Sequence, residues 1–281
     1  MKIWEAIVYA LVGGITELIP VSFPAHSAIL QNVFHMTSLT TGEGPYIRAG
    51  ICLGIVLALY MVFHDETKES RVLLRKMRRH NPRRRRTQNE SQSSDLRVIL
   101  LVFFGLIPML FSFLFMGKAE TNGSLIHITV FFVINGILLF ACTRGPVGKR
   151  EADDVTLYDS LLIGILRMLS VFPGLSSVGT SLCVGRARGM SSEFNFRFTY
   201  MITLCIQGIS CVFFLFRGIF LGSLSMRTVL SFVISVAVSA VTAFFTLLYF
   251  KNVVMKDKLK MFVYYCFDAA AIAFIIAIIN G

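Results

Sequence analysis

Two ionisable side chains, Glu17 and His26, lie within an otherwise apolar stretch near the start of the chain. An ionisable group inside a membrane costs about 2.5–3.5 kcal/mol on insertion scales, so such residues are functional candidates by default. A carboxylate and an imidazole that converge on one turn can bind a divalent metal or transfer protons. The structural alternative is a hydrogen bond by which His26 caps a broken helix end. Ser22 and Ser27 lie beside them, where a hydroxyl serves substrate binding or helix capping.

A second group of polar residues interrupts the apolar stretch at 156–185. Glycines and small hydroxyl residues at a point where a helix restarts expose backbone N–H groups, which suits a phosphate. Helix capping uses the same residue types, so the turn alone is weak evidence. The arginine inside this stretch would face the site or serve packing. The phosphate-binding candidates here are Arg167, Gly174, Ser176, Ser177, Gly179 and Thr180.

The elements that must hold these residues are membrane helices. Of the 281 residues, 55% are hydrophobic and only 15% are charged. A soluble domain is about one quarter charged, so a membrane protein is indicated. Six apolar runs are long enough to cross a bilayer. They are residues 46–63, 96–116, 125–142, 195–217, 228–249 and 260–279.

Two further apolar stretches, residues 3–35 and 156–185, are broken near their middles, at 20–26 and 173–179. Each half is too short to cross alone, so both stretches are predicted to be re-entrant helix–loop–helix hairpins. Interruptions at matching places of two halves are typical of an inverted repeat with a site near the bilayer midplane. The predicted fold is an all-α polytopic membrane protein, with six transmembrane helices and two re-entrant hairpins in an inverted repeat.

The positive charges orient this layout. The net charge is +11, and ten Lys/Arg fall in residues 64–95 without a nucleic-acid-binding signature. This segment is predicted to be a disordered cytoplasmic loop, and 21 of the 27 Lys/Arg then lie on the inner side. The prediction is a single membrane domain over residues 1–281, with repeats over about 1–142 and 156–281. The six cysteines form no CxxC pair, so they indicate neither a metal site nor a disulfide framework.

Both broken stretches resemble signature motifs of the undecaprenyl-pyrophosphate phosphatase family, the bacitracin-resistance type. That family carries E-G-x-T-E-F-L-P-V-S-S-T-G-H in its first hairpin and P-G-x-S-R-S-G in its second. Here residues 16–22 and His26 match the first motif in register, and residues 173–179 match the second at four positions. Residues 189–200 then follow the family's G-x-S-R…F-S-F stretch without a gap. The resemblance extends along essentially the whole chain.

The resemblance implies removal of the terminal phosphate from the C55 isoprenoid diphosphate carrier, at the outer face of the bacterial inner membrane. This reaction recycles the carrier for peptidoglycan synthesis. The resemblance also implies that Glu17 positions water or a divalent cation, Mg²⁺ or Ca²⁺, and that His26 acts as base or nucleophile. Ser176 and the backbone around it would hold the diphosphate. The expected partners are the isoprenoid lipid diphosphate, membrane lipids and a second copy of the chain in a homodimer, with no nucleic acid.

The sequence departs from these motifs at positions that carry charge. The first glutamate of the family's E-x-x-x-E pair is Gly13, and the arginine of P-G-x-S-R-S-G is Ser177. Phosphoryl transfer depends on positioned positive charge, and losing one such donor commonly costs about 10²–10³ in rate. A non-catalytic transporter (flippase) and a binding paralogue for an isoprenoid lipid phosphate therefore stay open as alternatives. The candidate replacement cations are Arg167, Arg186 and Arg188.

Overall fold

The computed structural model describes residues 3–40, 42–78, 85–114, 124–221 and 224–280, and of residues 65–78, 85–95, 221 and 280 the backbone alone. In these residues the long elements are all helices, which confirms the predicted all-α class. Their bounds are α1 Ile3–Thr16, α2 Phe23–Phe34, α3 Gly44–Arg78, α4 Arg85–Leu110, α5 Leu125–Arg144, α6 Leu157–Met168, α7 Ser177–Ala187, α8 Ser192–Leu221, α9 Met226–Met255 and α10 Lys260–Asn280.

Six helical stretches in the described residues are long and apolar enough to cross a membrane. Each coincides with a run predicted from the sequence, so the six transmembrane helices are confirmed. A helix is the expected form because lipid offers no partner for backbone N–H and C=O groups. The stretches are Gly44–His64, Leu96–Leu114, Leu125–Arg144, Ser192–Phe220, Met226–Met255 and Lys260–Ile279.

The first broken stretch forms α1, a turn at residues 17–22, and α2. Ser22 caps α2, since its backbone is extended and its Oγ accepts a hydrogen bond from the Ala25 N–H at 3.5 Å. Pro24 lies in the first turn of α2, where its missing N–H costs nothing. The observed break therefore precedes the predicted one at 20–26, because the serine and proline start a helix rather than end one.

The second broken stretch forms α6, a short 3₁₀ turn at Leu169–Val171, and α7. Ser176 caps α7 by accepting a hydrogen bond from the Gly179 N–H at 3.0 Å. Gly174 lies before the cap at φ 117°, and a Cβ there would come within 2.6 Å of the Phe131 side chain, so glycine is required. Both stretches thus have the predicted helix–break–helix form. Their re-entry into the bilayer stays a prediction.

The two halves of the chain pack in a reciprocal way. α1 packs against α9 of the other half, and α6 packs against α4; α3 packs against α8, and α5 against α10. Small residues allow the close approach, as is usual between membrane helices. A Cβ at Gly14 of α1 would lie 2.9 Å from the Ser239 carbonyl oxygen of α9, and one at Gly164 of α6 would lie 2.2 Å from the Gly105 carbonyl oxygen of α4. Such reciprocity suits an inverted repeat, whose boundaries stay a prediction.

The segment at residues 64–95 differs from the sequence prediction. α3 continues to Arg78 and α4 begins at Arg85, so most of the predicted disordered loop has helical backbone. Lys, Arg, Gln and Glu, which are frequent here, are good helix formers, so an apolar run can continue as a polar helix. Residues 79–84 lie outside the described part. The cytoplasmic location of the segment stays a prediction.

Candidate functional site

A cavity of ≈ 160 Å³ lies where the two broken stretches meet α3, α4 and α8. Among the described residues, three charged side chains line it: Glu17 from the first break, Arg167 from α6 and Arg48 from α3. Its polar lining also includes Ser22, Ser27, Gln31, Ser112, Ser170, Ser177, Gln207 and Ser210. Its apolar lining includes Phe23, Ile51, Met109, Phe113, Ile206 and Phe214. Charged groups within apolar walls suit a ligand that has an anionic head and an apolar body.

Glu17 provides the one carboxylate among the described lining residues. It lies directly after α1, and its N–H donates to the Gly13 carbonyl at 3.1 Å, which continues the helical turn. Gln207 of α8 donates from Nε2 to the Glu17 carboxylate at 3.2 Å. Arg167 and Arg48 both act electrostatically on this carboxylate. The carboxyl group of Glu17 therefore lies within the electrostatic influence of two positive side chains.

Arg167 is almost fully buried, with 1% of its surface exposed. Its Nη1 donates to the Ser181 hydroxyl at 3.0 Å and to the Thr199 carbonyl at 3.1 Å, and its Nη2 donates to the Thr203 hydroxyl at 2.6 Å. A guanidinium carries five N–H donors, so Nε–H and the second N–H of Nη2 remain. The Nε atom is buried without a hydrogen-bond partner among the described residues. Nε and Nη2 form one edge of the guanidinium, and such an edge binds two oxygens of a phosphate.

The two breaks are joined by reciprocal serine hydrogen bonds. Ser22 of the first break accepts from the Gly174 N–H at 3.0 Å, and Ser176 of the second donates to the Ile19 carbonyl at 3.3 Å. Asn135 of α5 lies between them and binds both breaks. Its Nδ2 donates to the Pro20 carbonyl at 3.0 Å, and its Oδ1 accepts from the Ser176 N–H at 3.1 Å. These contacts bring Glu17 and Arg167 to one cavity.

Three predicted phosphate-binding residues lie outside the cavity lining, Gly174 in the join between the breaks and Gly179 and Thr180 in the first turn of α7. The N–H groups of Gly174 and Gly179 donate to the Ser22 and Ser176 hydroxyls, so neither is free for a phosphate. The Thr180 hydroxyl donates to carbonyls of its own helix at 2.9 and 3.0 Å. The sequence alternative that these residues serve helix capping and turn geometry describes their observed contacts.

Ser27 and Ser177 do line the cavity, as predicted for substrate-binding residues. The Ser27 hydroxyl donates to the Pro24 carbonyl at 2.9 Å, and its lone pairs remain as acceptors. Ser177 is the first residue of α7, at the helix end whose backbone dipole favours an anion. Ser22 borders the cavity too, although its hydroxyl is engaged in the join. Their roles in binding stay predictions.

His26 lies outside the set of cavity-lining residues. Its Nδ1 is 2.6 Å from the Ser22 carbonyl oxygen, and its Nε2 is 2.6 Å from the Tyr265 hydroxyl. A carbonyl only accepts, so Nδ1 carries the proton, and in the neutral ring Nε2 accepts from Tyr265. The ring also stacks on Tyr265 and meets Phe132 edge-on. Both ring nitrogens are thus engaged in this geometry, as in the capping alternative, and a part as base or nucleophile stays a prediction.

The other two candidate cations, Arg186 and Arg188, are held away from the cavity. Arg186 forms an ion pair with Asp257 and donates from Nη2 to the Gly145 carbonyl at 2.7 Å. Arg188 forms an ion pair with Asp159, near the start of α6. Of the three candidate replacements, Arg167 alone lines the cavity.

Sequence reasoning missed three residues of the site. Arg48 has an ordinary explanation as one of the few basic residues on the predicted outer side. Gln207 and Asn135 are single polar residues within apolar spans. Polar residues inside a membrane are costly and usually pair with other polar groups or mark a functional site. Each of them could have been singled out for that reason. The helix pairing that brings them to the two breaks could not be read from spacing along the chain.

The donor set bears on the expected metal ion. Glu17 is the one carboxylate among the described lining residues, and no cluster of three His, Cys, Asp or Glu side chains occurs in the described part of the chain. Such a site does not suit a metal that needs an all-protein cage. It suits Mg²⁺, which is usually held by one or two carboxylates together with substrate phosphates and water.

Comparisons with known proteins agree over nearly the full length. The family model described as "Bacitracin resistance protein BacA" matches residues 6–272. A curated relative, "Undecaprenyl-diphosphatase 1" of Shouchella clausii (strain KSM-K16), is 28% identical over 282 residues, which cover 98% of this chain and 96% of the relative. "Undecaprenyl-diphosphatase" of Alkaliphilus metalliredigens (strain QYMF) is 24% identical over 288 residues, which cover 99% of this chain and 100% of the relative.

Proposed function

The chain belongs to the BacA bacitracin resistance protein family, and on that premise we propose that it is a membrane hydrolase that removes the terminal phosphate of undecaprenyl diphosphate. The product, undecaprenyl phosphate, is the lipid carrier that cell-wall synthesis reuses. The observation that carries the proposal is that Glu17 of the first broken stretch and Arg167 of the second line the same cavity. One group activates water and the other holds a phosphate, so the two breaks together supply a hydrolytic site.

Arg167 binds the terminal phosphate in this proposal. Its Nε–H and the second N–H of Nη2 offer a two-point edge, and the contacts to Ser181, Thr199 and Thr203 hold the other donors in place. A guanidinium that is fixed before the reaction stabilises the charge that spreads over the phosphate oxygens in the transition state. Arg167 therefore supplies the positive charge that the motif arginine would supply. At that motif position this chain has Ser177.

Glu17 acts on the attacking water. Its carboxylate accepts a proton as the water oxygen attacks the terminal phosphorus, and the bond from that phosphorus to the bridging oxygen breaks. Gln207 orients the carboxylate through its hydrogen bond at 3.2 Å. The proton on Glu17 then returns to solvent. The charge of the leaving lipid phosphate is stabilised by the two arginines of the cavity lining, Arg48 and Arg167. The reaction yields inorganic phosphate and the lipid monophosphate.

A divalent cation fits beside Glu17 once the diphosphate contributes its own oxygens. When bound, it supplies positive charge that polarises the phosphoryl group. The oxygens of Glu17 and of the nearby Ser27 hydroxyl are the donors that this chain would offer. The two arginines around Glu17 disfavour a cation in the empty cavity, so the cation is expected to enter with the substrate.

His26 is assigned a positioning part. Its Nδ1–H bonds to the carbonyl of Ser22, the residue that joins the two breaks, and its other nitrogen binds Tyr265. The ring thereby fixes the start of α2 without touching the cavity. In the proposal the protein is a multi-pass protein of the bacterial inner membrane whose site opens to the outer side.

Phosphate release from undecaprenyl diphosphate by the purified protein in detergent tests the proposal. We expect turnover in the presence of Mg²⁺ or Ca²⁺ and its loss with EDTA. If the protein binds the lipid but releases no phosphate, the proposed hydrolase function is wrong. In that case movement of a labelled carrier across liposomes would identify a transporter, and its absence a binding paralogue.

A further inference from the structure

One face of α8 carries polar residues that reach both broken stretches. Residues spaced by four lie on the same face of a helix. Two of the four polar residues on this face bind Arg167, one donates from its side-chain amide to the Glu17 carboxylate, and one donates from its hydroxyl to the carbonyl of Leu18, which directly follows Glu17. The four residues are Thr199, Tyr200, Thr203 and Gln207. A single helix thus locates groups of both breaks.

The hydroxyls around Arg167 have fixed directions. Thr203 donates from Oγ1 to the Thr199 carbonyl at 2.8 Å, and a hydroxyl has only one hydrogen, so toward Arg167 Nη2, at 2.6 Å, it can only accept. Ser181 in the same way donates to the Ser177 carbonyl at 3.0 Å and accepts from Nη1 at 3.0 Å. Both hydroxyls therefore serve the guanidinium as acceptors and have no hydrogen left for a ligand.

These acceptors determine which edge of the guanidinium is left. The Thr199 carbonyl oxygen and Thr203 Oγ1 lie 2.8 Å apart and accept from Nη1 and Nη2, so they occupy the end of the group where these two nitrogens meet. Ser181 binds the remaining N–H of Nη1. The edge formed by Nε and Nη2 is left, and the three described partners of Arg167 are neutral oxygens, so its charge is kept for a ligand.

We propose that Thr203 is a positioning residue of the hydrolase and that it acts through Arg167. This inference rests on the proposed function and adds a residue from outside both breaks to its machinery. Thr203 is 1% exposed and lies outside the cavity lining, so its effect on the reaction passes through the guanidinium. Nη2 binds Thr203 by one N–H and offers the other to the terminal phosphate. The Thr203 hydroxyl therefore sets the direction of the phosphate-binding edge.

Two substitutions of Thr203 separate its hydroxyl from its packing. Thr203→Val keeps the shape and removes the acceptor, whereas Thr203→Ser keeps the hydroxyl and removes a methyl group. A misplacement of about 1 Å can cost about 10² in rate, so we expect Thr203→Val to lower kcat/KM at least about tenfold. Thr203→Ser should retain most of the wild-type value, because the acceptor for Nη2 is still present.

Thr246→Val is the matched control. The Thr246 hydroxyl of α9 makes the same kind of bond, to the carbonyl four residues earlier, at 2.7 Å, and this residue too lies outside the cavity lining. The control therefore loses the same bond within a helix but no acceptor of Arg167. It should keep wild-type turnover.

A double substitution tests whether Thr203 acts through the guanidinium. Once Arg167 is replaced in Arg167→Met, Thr203→Val should lower turnover no further, since the effects of residues that act through one another do not add. A full additional loss in that background would overturn the inference. If Arg167→Met leaves no measurable turnover, the comparison of Thr203→Val, Thr203→Ser and Thr246→Val decides.

Wild-type kcat/KM in Thr203→Val would overturn the inference while leaving the hydrolase standing. A loss in Thr203→Ser as large as that in Thr203→Val would also overturn it, because it would show a role in packing. If Thr203→Val does not fold, Ser181→Ala replaces it, since it removes the acceptor for Nη1 and should cause a similar loss.

Absence of turnover in the wild-type protein would count against the hydrolase instead. Binding of undecaprenyl diphosphate by the wild-type protein and the two Thr203 variants then decides the inference. It requires weaker binding by Thr203→Val than by Thr203→Ser and the wild type. Equal binding by all three proteins, or binding by none of them, would overturn it.

Discussion

Arg167 and Glu17 could be predicted as site residues because each is an ionisable group inside an apolar stretch. Membrane proteins rarely keep such groups without a function. The contacts of Arg167 could not be predicted, since Thr199 and Thr203 come from α8 and reach it only through tertiary packing. The contacts of His26 could not be predicted either. Its residue type suggests a base, and only the positions of Ser22 and Tyr265 reveal that both ring nitrogens are engaged.

Replacement of Arg167 by lysine tests whether a fixed fork of donors is needed. Lysine keeps the charge but cannot make three described contacts and still offer a two-point edge. We expect turnover to fall about 10²-fold or more, the usual cost of losing one transition-state donor. Phosphate release by the purified variant measures this. Arg186→Lys is the control, because Arg186 is paired with Asp257 outside the cavity. Full activity of Arg167→Lys would show that another cation serves the reaction.

Substitutions of His26 distinguish a positioning part from proton transfer. Asparagine places a side-chain N–H close to the position of Nδ1 and can still donate to the Ser22 carbonyl, whereas alanine cannot. We therefore expect His26→Asn to keep clearly more activity than His26→Ala, with a higher melting temperature. Assays of phosphate release and thermal unfolding measure both. Equal and complete inactivation of two stably folded variants would favour a catalytic base.

At the scale of elements, the six spans followed from apolar length alone. The two breaks were predicted too, but their observed bounds differ from the predicted ones. Ser22 and Pro24 start α2, and Ser176 caps the start of α7. The helical continuation of α3 to Arg78 was missed, since a run of charge reads equally as helix or loop. The join between the breaks was out of reach, because it depends on Asn135 from α5.

The join should contribute measurably to stability. Asn135 is 1% exposed, and Asn135→Leu would leave the Pro20 carbonyl and the Ser176 N–H without these partners. Burying such groups unsatisfied costs about 1–3 kcal/mol, so the free energy of unfolding should fall by that order. Because the join positions the site, activity should fall with it. Asn252→Leu is the control, since Asn252 is exposed and bonds within its own helix. Equal stability of the two variants would contradict the role of the join.

On the scale of the whole molecule, hydropathy and charge predicted the number of spans and an orientation. The pairing of α1 with α9 and of α6 with α4 could not be read from them. This packing of helices from one half against helices of the other explains how residues about 150 apart along the chain, such as Glu17 and Arg167, line one cavity. The fold thus builds the site from both halves.

The predicted orientation has a direct test with single cysteines. We expect a cysteine at Ser91, in the basic segment, to resist an impermeant thiol reagent applied outside intact cells, because Lys/Arg-rich segments stay inside. A cysteine at Leu224, an exposed residue just before α9, should react under the same conditions. Mass-shift labelling of the two variants measures both. The reverse pattern would invert the topology and place the cavity on the other side.

We hold that one cavity, built by both broken stretches, hydrolyses the diphosphate, and the turnover of Glu17→Gln is the measurement that decides this claim. Glutamine keeps the size of the side chain and removes the base, so phosphate release from undecaprenyl diphosphate should fall at least about 10²-fold. Lipid binding and thermal stability should stay close to wild type, and Glu193→Gln, at an exposed carboxylate of α8, should retain full turnover. Wild-type turnover by Glu17→Gln would contradict the claim and place the chemistry elsewhere in the chain.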